Sequence, residues 1–295
     1  MEKLSLLLFS NSEFLTLLCF TFVILIIGYF LYKLDYFKAE NHHSILSLIL
    51  MMIIYSVISF WKLGSTTFPT TTWQPTAEKQ QITFDFGKSE KFDAIYTIYG
   101  EGDTNSNPSA YQIGTNNIHL YASNDLQEWT RIASLKQGNI YTYAIEQGNW
   151  QYRYIKLVDL SENSSLSEIG FRKEDHTGFL PISILRDKQK DGPYPGSLLI
   201  DEQDKLVLSP TYYDQAYFDE IYHVRNAWEI ANGQYMYANV HPLLGTNIIA
   251  LSIRLFGMNP FSWRLPGAIA GVLMLPVLYG ILKLLLKRDN LSLIG

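Results

Sequence analysis

The residues whose types and spacing suggest chemistry gather in one stretch, YYDQAYFDEIYHVRNAWEIANGQ, from Tyr212 to Gln234. Asp219 and Glu220 are adjacent acids that follow an aromatic pair, and His223 stands four residues after Asp219. At about 100° per residue, Tyr217, Ile221, Val224 and Trp228 form one apolar stripe, with Asp219, His223 and Asn226 on the opposite side. An amphipathic helix of this kind lies along a membrane surface and turns its acid-bearing face to water or substrate. A carboxylate so placed can take the proton of an attacking hydroxyl. A carboxylate and a histidine one turn apart can also share a divalent cation, but the pair alone does not specify one, and no metal ligand is assigned. By composition alone two neighbouring acids read as solvated surface charge. Arg225 is a candidate for holding a phosphate, and Glu229, one turn on, competes for it as an ion-pair partner.

Four apolar segments are expected to position this stretch. Phe14 to Tyr32 and Ser44 to Trp61 carry no charge over nineteen and eighteen residues, and Leu265 to Leu282 is another uncharged eighteen. Each is long enough to cross a hydrocarbon layer as a helix. Val240 to Phe256 is apolar apart from His241, Thr246, Asn247, Ser252 and Arg254, and is read as the third of four spans. The first segment is not read as a cleaved leader, because no small-residue cleavage site follows it before Lys33 and Asp35.

Between Leu63 and Tyr213 the texture changes to alternation and turns. Strands are predicted at 82–87, 92–100, 117–123, 129–135, 140–145 and 152–160, rich in β-branched and aromatic residues and separated by Gly, Asn and Asp. Such spacing predicts an all-β jelly-roll sandwich. Residues 173–209, with Pro181, Pro193 and Pro195, read as a connection back to the membrane. The expected organisation is two transmembrane helices in 1–62, a β-sandwich in 63–180, a linker in 181–213, and an amphipathic helix with two further spans in 214–295. The fold class is therefore an α-helical integral membrane protein of about four spans with an inserted all-β sandwich.

Within that block, IHLYASNDLQEWTRIA followed by YRYIKLVDLSENSSLSEIGF resembles the discoidin, or coagulation factor 5/8 type C, family over roughly residues 73–172. The match includes a turn carrying Ser123, Asn124, Asp125 and Trp129 and a late strand over Leu166 to Phe171. The resemblance implies a galactose-binding-like sandwich whose loops bind glycans or lipid head groups. Flat aromatic rings cover the C–H face of a sugar, which makes Trp73 and Trp150 glycan-binding candidates, whereas Trp129 reads as core packing. Asp103, Asn105 and Asn107 offer oxygens of the kind calcium takes, in a loop without a calcium-binding pattern.

The stretch from about Tyr217 to Tyr279 resembles the N-terminal catalytic region of the dolichyl- or polyprenyl-phosphate-mannose protein mannosyltransferases, glycosyltransferases of the GT-C type. The resemblance rests on Asp219 and Glu220 after an aromatic, on His223, on the H-P-x-L-G element at His241, Pro242, Leu244 and Gly245, and on FGMNPFSWRLPG from Phe256 to Gly267. Where that family continues the H-P-P-L-G element with lysine, this chain has Thr246, and Leu243 replaces its second proline. The resemblance implies Asp219 as the base, Glu220 as its support, and His223, Arg225, His241 and Arg264 as substrate-binding residues. It further implies a polyprenyl-phosphate sugar as donor and a protein hydroxyl or glycan as acceptor; no cofactor is assigned, and a divalent metal enters only through the Asp219 and His223 pair. Members of the family continue through many more spans, so a further part that closes the donor pocket is an expected partner.

Lys and Arg counts beside the spans do not decide orientation; the resemblance places the Asp219 loop and the β-block on the extracytoplasmic side of a cell membrane. A net charge of −5 provides no basic field for nucleic acid. One cysteine, Cys19, excludes an intrachain disulfide and a cysteine-based zinc module. Charged residues are only 17% of the chain, below the roughly 25% of soluble domains, which agrees with the lipid bilayer as a partner. Two functions remain open at this point: a membrane glycosyltransferase with a glycan- or acceptor-binding module, and a non-enzymatic membrane-anchored glycan-binding or adhesion protein.

Overall fold

The computed structural model describes residues 42–100, 118–135, 139–160, 164–236 and 241–294. The first expected span at Phe14 to Tyr32, Cys19, and the loop bearing Asp103, Asn105 and Asn107 lie outside the described residues. The chain divides into two units, residues 64–263 and residues 1–63 with 264–295.

Among the described residues of the larger unit, six strands form one antiparallel sheet: β1 (Gln80–Tyr99), β2 (Ile118–Ser123), β3 (Thr130–Leu135), β4 (Tyr143–Asp159), β5 (Leu166–Lys173) and β6 (Ser183–Asp187). The order is β3-β2-β4-β1-β5, with β6 also on β1. The first two predicted strands are one, and so are the last two, which both fall on β4, because in neither case does the chain leave the sheet between them. Gly87, at φ 82°, and the Asp85 carboxylate that accepts its N–H at 2.7 Å form a kink instead of a hairpin. The β1–β4 register shifts there, between Asp85 and Glu90. Beyond the kink the sheet folds over itself: Phe86 on the first half of β1 meets Phe92 on the second at 5.7 Å and Phe171 of β5 at 5.1 Å. Alternate residues of β1, β2, β4 and β5, among them Ile82, Phe84, Ile95, Leu120, Ile155, Leu157 and Ile169, fill the space between the layers. Such alternation is what a strand with one dry face requires.

The sheet domain does not stop at residue 180. β6 pairs Ile82 with Asp187 and Ser183 with Asp85, and the short 3-10 turn Gly196–Leu199 inserts Leu199 into the core. The expected linker is therefore partly built into the sheet, a long-range pairing that its five residues do not announce. The β2–β3 turn explains the Ser-x-Asp-x-x-x-Trp pattern. Ser123 Oγ accepts the N–H of Asp125 and Leu126, Asp125 accepts those of Gln127 and Glu128, and the Trp129 indole donates to the Leu126 carbonyl. Trp129 is half-buried, with the Lys156 ammonium 4.0 Å from its ring, rather than in the core.

The same unit contains α2 (Glu220–Ala231) and α3 (Leu243–Phe256). Phe68, Ile98 and Tyr141 from the sheet domain share a second core with Val224 and Ala227 of α2, Ala250 and Ile253 of α3, and Trp263. The third expected span is not shown: α3 is an apolar helix of 14 residues, about 21 Å of rise, and one of its faces is occupied by α2. Gly257, at φ 84°, ends it in a conformation that favours glycine, and Arg254 donates to the terminal carbonyls of α2 at Ala231 and Ile230.

In the other unit, α1 (His42–Phe60) and α4 (Pro260–Leu286), which begins in the larger unit, are the two helices among the described residues long and apolar enough to cross a membrane. Only 22% and 17% of their apolar windows are buried, which is unlike the core helix of a soluble protein. Leu48 and Met52 of α1 and Val272 and Tyr279 of α4 form their shared seam, joined by Leu293 of the short α5 (Asp289–Ile294). At Gly271 any side chain would press on the Tyr55 ring, so a small residue lets the two backbones approach.

Candidate functional site

The approach to α2 is held by its own turns. Asp214 accepts the Thr211 N–H and hydroxyl, Ser65 donates its N–H to the Tyr213 carbonyl, and the Tyr143 N–H is received by Gln215. Phe218 then adopts φ 50°, an uncommon left-handed conformation for an aromatic residue, directly before Asp219. Tyr217 and Phe218 are 68% and 77% exposed. The expected stripe is thus shortened at its start: the helix begins at Glu220, Tyr217 stands outside it, and Ile221, Val224 and Trp228 make the inward face.

Asp219 occupies the N-cap position, is exposed, and its side chain makes no capping hydrogen bond. Its neighbour is held differently. Glu220 accepts the Tyr217 N–H at 3.0 Å and the Trp263 indole N–H at 3.3 Å. The second contact reaches across 43 residues and ties the acidic pair to the tryptophan of the FGMNPFSWRLPG turn. That turn is rigid by construction: Ser262 and Asn259 cap each other, with Asn259 Oδ1 accepting the Ser262 N–H at 2.9 Å and Ser262 Oγ accepting the Asn259 N–H at 3.3 Å. Gly64 lies so near Pro260 and Phe261 that a Cβ there would collide with their backbone.

His223 and His241 come together with ring centroids 5.2 Å apart. One is on α2 and the other just before α3. The exposed carboxylate of Asp219, the fixed carboxylate of Glu220 and the paired imidazoles are what this face offers: a proton acceptor open to solvent beside groups that can donate N–H to an anion.

The other expected site residues go elsewhere. Arg225 and Glu229 are buried with each other, Nε to Oε1 3.0 Å and side chains 5% and 0% exposed, so the guanidinium is engaged within its own helix. Arg264 donates to the Leu63 carbonyl at 3.0 Å. Trp73 is fully buried and bridges to Leu166; with no open ring face it is corrected as a sugar platform. Trp150 is half-buried and tilted over Phe92 at 5.3 Å.

Among the described residues, three carboxylates lie within metal-ligand reach of one another: Glu168, Asp201 and Glu202. Donors already occupy this group. Glu202 accepts the N–H of Thr70 and Thr71 and pairs with Lys205, and Glu168 accepts the Glu202 N–H and the Gln203 amide. Burial pushes the Glu168 carboxyl up to about 8. The Glu202 carboxyl is also raised by burial, but Lys205 and the two threonine N–H groups prevail and hold it below its ordinary value. Sequence reasoning missed this cluster, and it missed Trp263 as the anchor of Glu220; the tryptophan within the FGMNPFSWRLPG motif was the available signal.

No family model matches the chain. One stretch is similar to curated proteins. It is 33% identical over 72 residues to the polyprenol-phosphate-mannose–protein mannosyltransferase of Mycobacterium tuberculosis and 35% identical over 71 residues to that of Mycolicibacterium smegmatis. Each match covers 22% of this chain and 14% of the relative, so the chain spans about a seventh of their length. Solved structures similar to it include CpGH89CBM32-6 produced by Clostridium perfringens, with 22% identity over 38% of this chain and 82% of that one and a TM-score of 0.28. CpGH89CBM32-5, from the same organism, in complex with GalNAc-beta-1,3-galactose, gives 18% identity, 38% and 81% coverage and a TM-score of 0.29. The lectin domain of Lectinolysin complexed with Lewis B antigen gives 18%, 33% and 70%, and 0.25.

Proposed function

We propose that this chain carries the sugar-transfer loop of a membrane glycosyltransferase that uses a polyprenyl-phosphate sugar, mannose by analogy with the relatives, and delivers it to a hydroxyl of protein or glycan. The observation that carries the reading is the assembly around the head of α2. Two contacts between distant segments meet on α2 here: Glu220, beside Asp219, accepts the Trp263 indole N–H, and His223, one turn on from Asp219, pairs with His241. In this reading Asp219 takes the acceptor proton as the new C–O bond forms, and the phosphate leaves with the electrons of the broken sugar–phosphate bond. Glu220, held by Trp263, orients the acceptor, and His223 with His241 supplies N–H donors to the phosphate. Tyr217 and Phe218 are exposed aromatic residues, the type favoured beside lipid head groups.

The sheet domain is a glycan-binding module of discoidin type in the same proposal, supported by its self-capped Ser123–Trp129 turn and its antiparallel strands. Helices α1 and α4 cross a cell membrane, and residues 64–263 lie on the extracytoplasmic side. Further spans supplied by another part of the enzyme complete the donor pocket.

The test is transfer of labelled mannose from polyprenyl-phosphate-mannose in membranes containing the chain together with its completing part. Asp219→Asn keeps size and hydrogen-bonding shape but accepts no proton, so transfer falls by roughly two to four orders of magnitude. Asp204→Asn, an exposed acid in the sheet domain, leaves it unchanged. Asp214 is unsuited as this control because it pins Thr211. Equal rates for wild type and Asp219→Asn remove Asp219 from the mechanism and favour a non-enzymatic, membrane-anchored glycan-binding protein.

A further inference from the structure

A cleft of about 490 Å³ lies within the larger unit, between the sheet domain and the C-terminal end of α2. Its volume is that of a small-molecule site, which runs from roughly 300 to 1,000 Å³. Among the described residues, no Asp, Glu, Lys, Arg or His lines it. Hydroxyl-bearing residues from Thr70 to Thr72 and Ser167 line it on the side of the sheet domain, Trp228 with Asn232 and Gln234 line it from α2 and the residues after it, and apolar and tyrosine side chains complete the lining. We propose that this cleft binds a neutral oligosaccharide.

The argument is chemical. A pyranose is a flat, uncharged ring with C–H faces and a rim of hydroxyls, each of which donates and accepts. A complementary site needs an aromatic face, several neutral hydrogen-bonding groups and no fixed charge. The hydroxyl wall is polarised to suit a donor-rich ligand. Thr71 Oγ1 gives its proton to Asp201 at 2.8 Å and also lies 3.0 Å from Glu202, so what remains for a ligand is lone pairs. Thr72 Oγ1 and Ser167 Oγ share one hydrogen bond at 3.3 Å, which leaves one hydroxyl proton of the two for a ligand acceptor.

The approach of those two hydroxyls is possible because residue 100 is glycine: a Cβ there would collide with both. From α2, Asn232 Nδ2 donates to the Trp228 backbone carbonyl at 2.9 Å, which fixes the amide at the end of the helix. The acids that polarise the wall stand behind it, outside the lining, and they disfavour an anionic ligand. Trp228 lies nine residues along α2 from Asp219, about 13 Å of helical rise, so the cleft holds sugar away from that acid. It stands whether or not Asp219 transfers anything.

The full-length chain in lipid nanodiscs, titrated by calorimetry with mannotriose, N-acetylchitotriose and cellotriose, with trigalacturonate as the charged counterpart, tests this. At least one neutral trisaccharide binds, and trigalacturonate binds at least tenfold more weakly. Trp228→Ala weakens the neutral ligand by tenfold or more, and Thr72→Val combined with Ser167→Ala by three- to tenfold. Asp219→Asn leaves affinity unchanged, so loss of transfer and loss of sugar binding are read separately. Because Trp228 also touches the second core, Asn232→Ala, an exposed position, is the companion, with a loss of about threefold. Failure of all three neutral sugars, equal binding of trigalacturonate, or unchanged affinity in both the Thr72/Ser167 pair and Asn232→Ala overturns the proposal.

Discussion

Asp85 and Asp93 of the sheet domain and Asp219 at the head of α2 are treated in opposite ways by the fold. In the sheet domain, Asp85 is held by Arg153 Nε at 2.9 Å. Asp93 receives Arg172 through two nitrogens at 2.8 and 2.9 Å and faces His176 at 2.6 Å. Arg153 and Arg172, the largest cause in each case, hold these carboxyls below their ordinary range against the opposing cost of burial. At the head of α2, Glu220 is tied to Trp263 while Asp219 next to it is exposed and uncapped. A charge committed to structure is unavailable for proton transfer, and of the adjacent pair at the head of α2 it is Asp219 that is left open, as the proposed role of a base requires.

The largest effect expected from this contrast is on stability. Phe171 contacts Phe84, Phe86 and Phe92 at the fold-over of the sheet, so Phe171→Ala costs about 3–5 kcal/mol. Tyr217→Ala, at an exposed site beside Asp219, shifts stability by less than about 0.5 kcal/mol. Thermal unfolding of the full chain in detergent, followed by circular dichroism in the β region, checks both; a large loss in Tyr217→Ala breaks the contrast.

Two carboxylates within the sheet domain should respond to pH with opposite signs. The contribution of Asp93 is present above its unfolded value near 3.8 and is lost as pH falls through its lower folded value. Asp93→Asn removes that acid-side dependence and, by leaving Arg172 without its partner, costs on the order of 1–3 kcal/mol. Glu168 behaves conversely, because burial raises its folded value from 4.5 to about 8. Its contribution is complete below pH 4.5 and declines as pH rises through about 8. Glu168→Gln should flatten the fall in melting temperature between those limits. An unchanged slope in Glu168→Gln would mean that the buried carboxyl does not take up a proton on folding.

The smallest effect concerns Glu220. Trp263→Phe keeps most of the ring packing against Phe68 and Tyr141 but deletes the indole donor. In the proposed transferase it lowers transfer several-fold, far less than Asp219→Asn, and raises the acceptor KM more than it lowers kcat. A loss as deep as that of Asp219→Asn would assign Glu220, not Asp219, the proton.

Local pattern alone placed the apolar runs of α1 and α4, the six strand regions between 82 and 160, the amphipathic character of α2 and the acidic pair at its head. Each of these is a property of period and composition within about twenty residues, which is the range over which a side chain's face is fixed by its own helix or strand. The short reach of such patterns also explains the misreadings. The predicted strands on either side of Gly87 are one strand, those at 140–145 and 152–160 are one strand, and the span expected from Val240 to Phe256 is a fourteen-residue helix that starts only after Pro242. The tertiary structure decided everything that needed distant partners. It added β6 to the sheet, buried Trp73 and the Arg225–Glu229 pair, and joined Glu220 to Trp263 across 43 residues. It also set Thr72 beside Ser167 across 95 residues, behind a glycine that leaves them room. Those contacts depend on where whole elements pack, and no local periodicity encodes that packing.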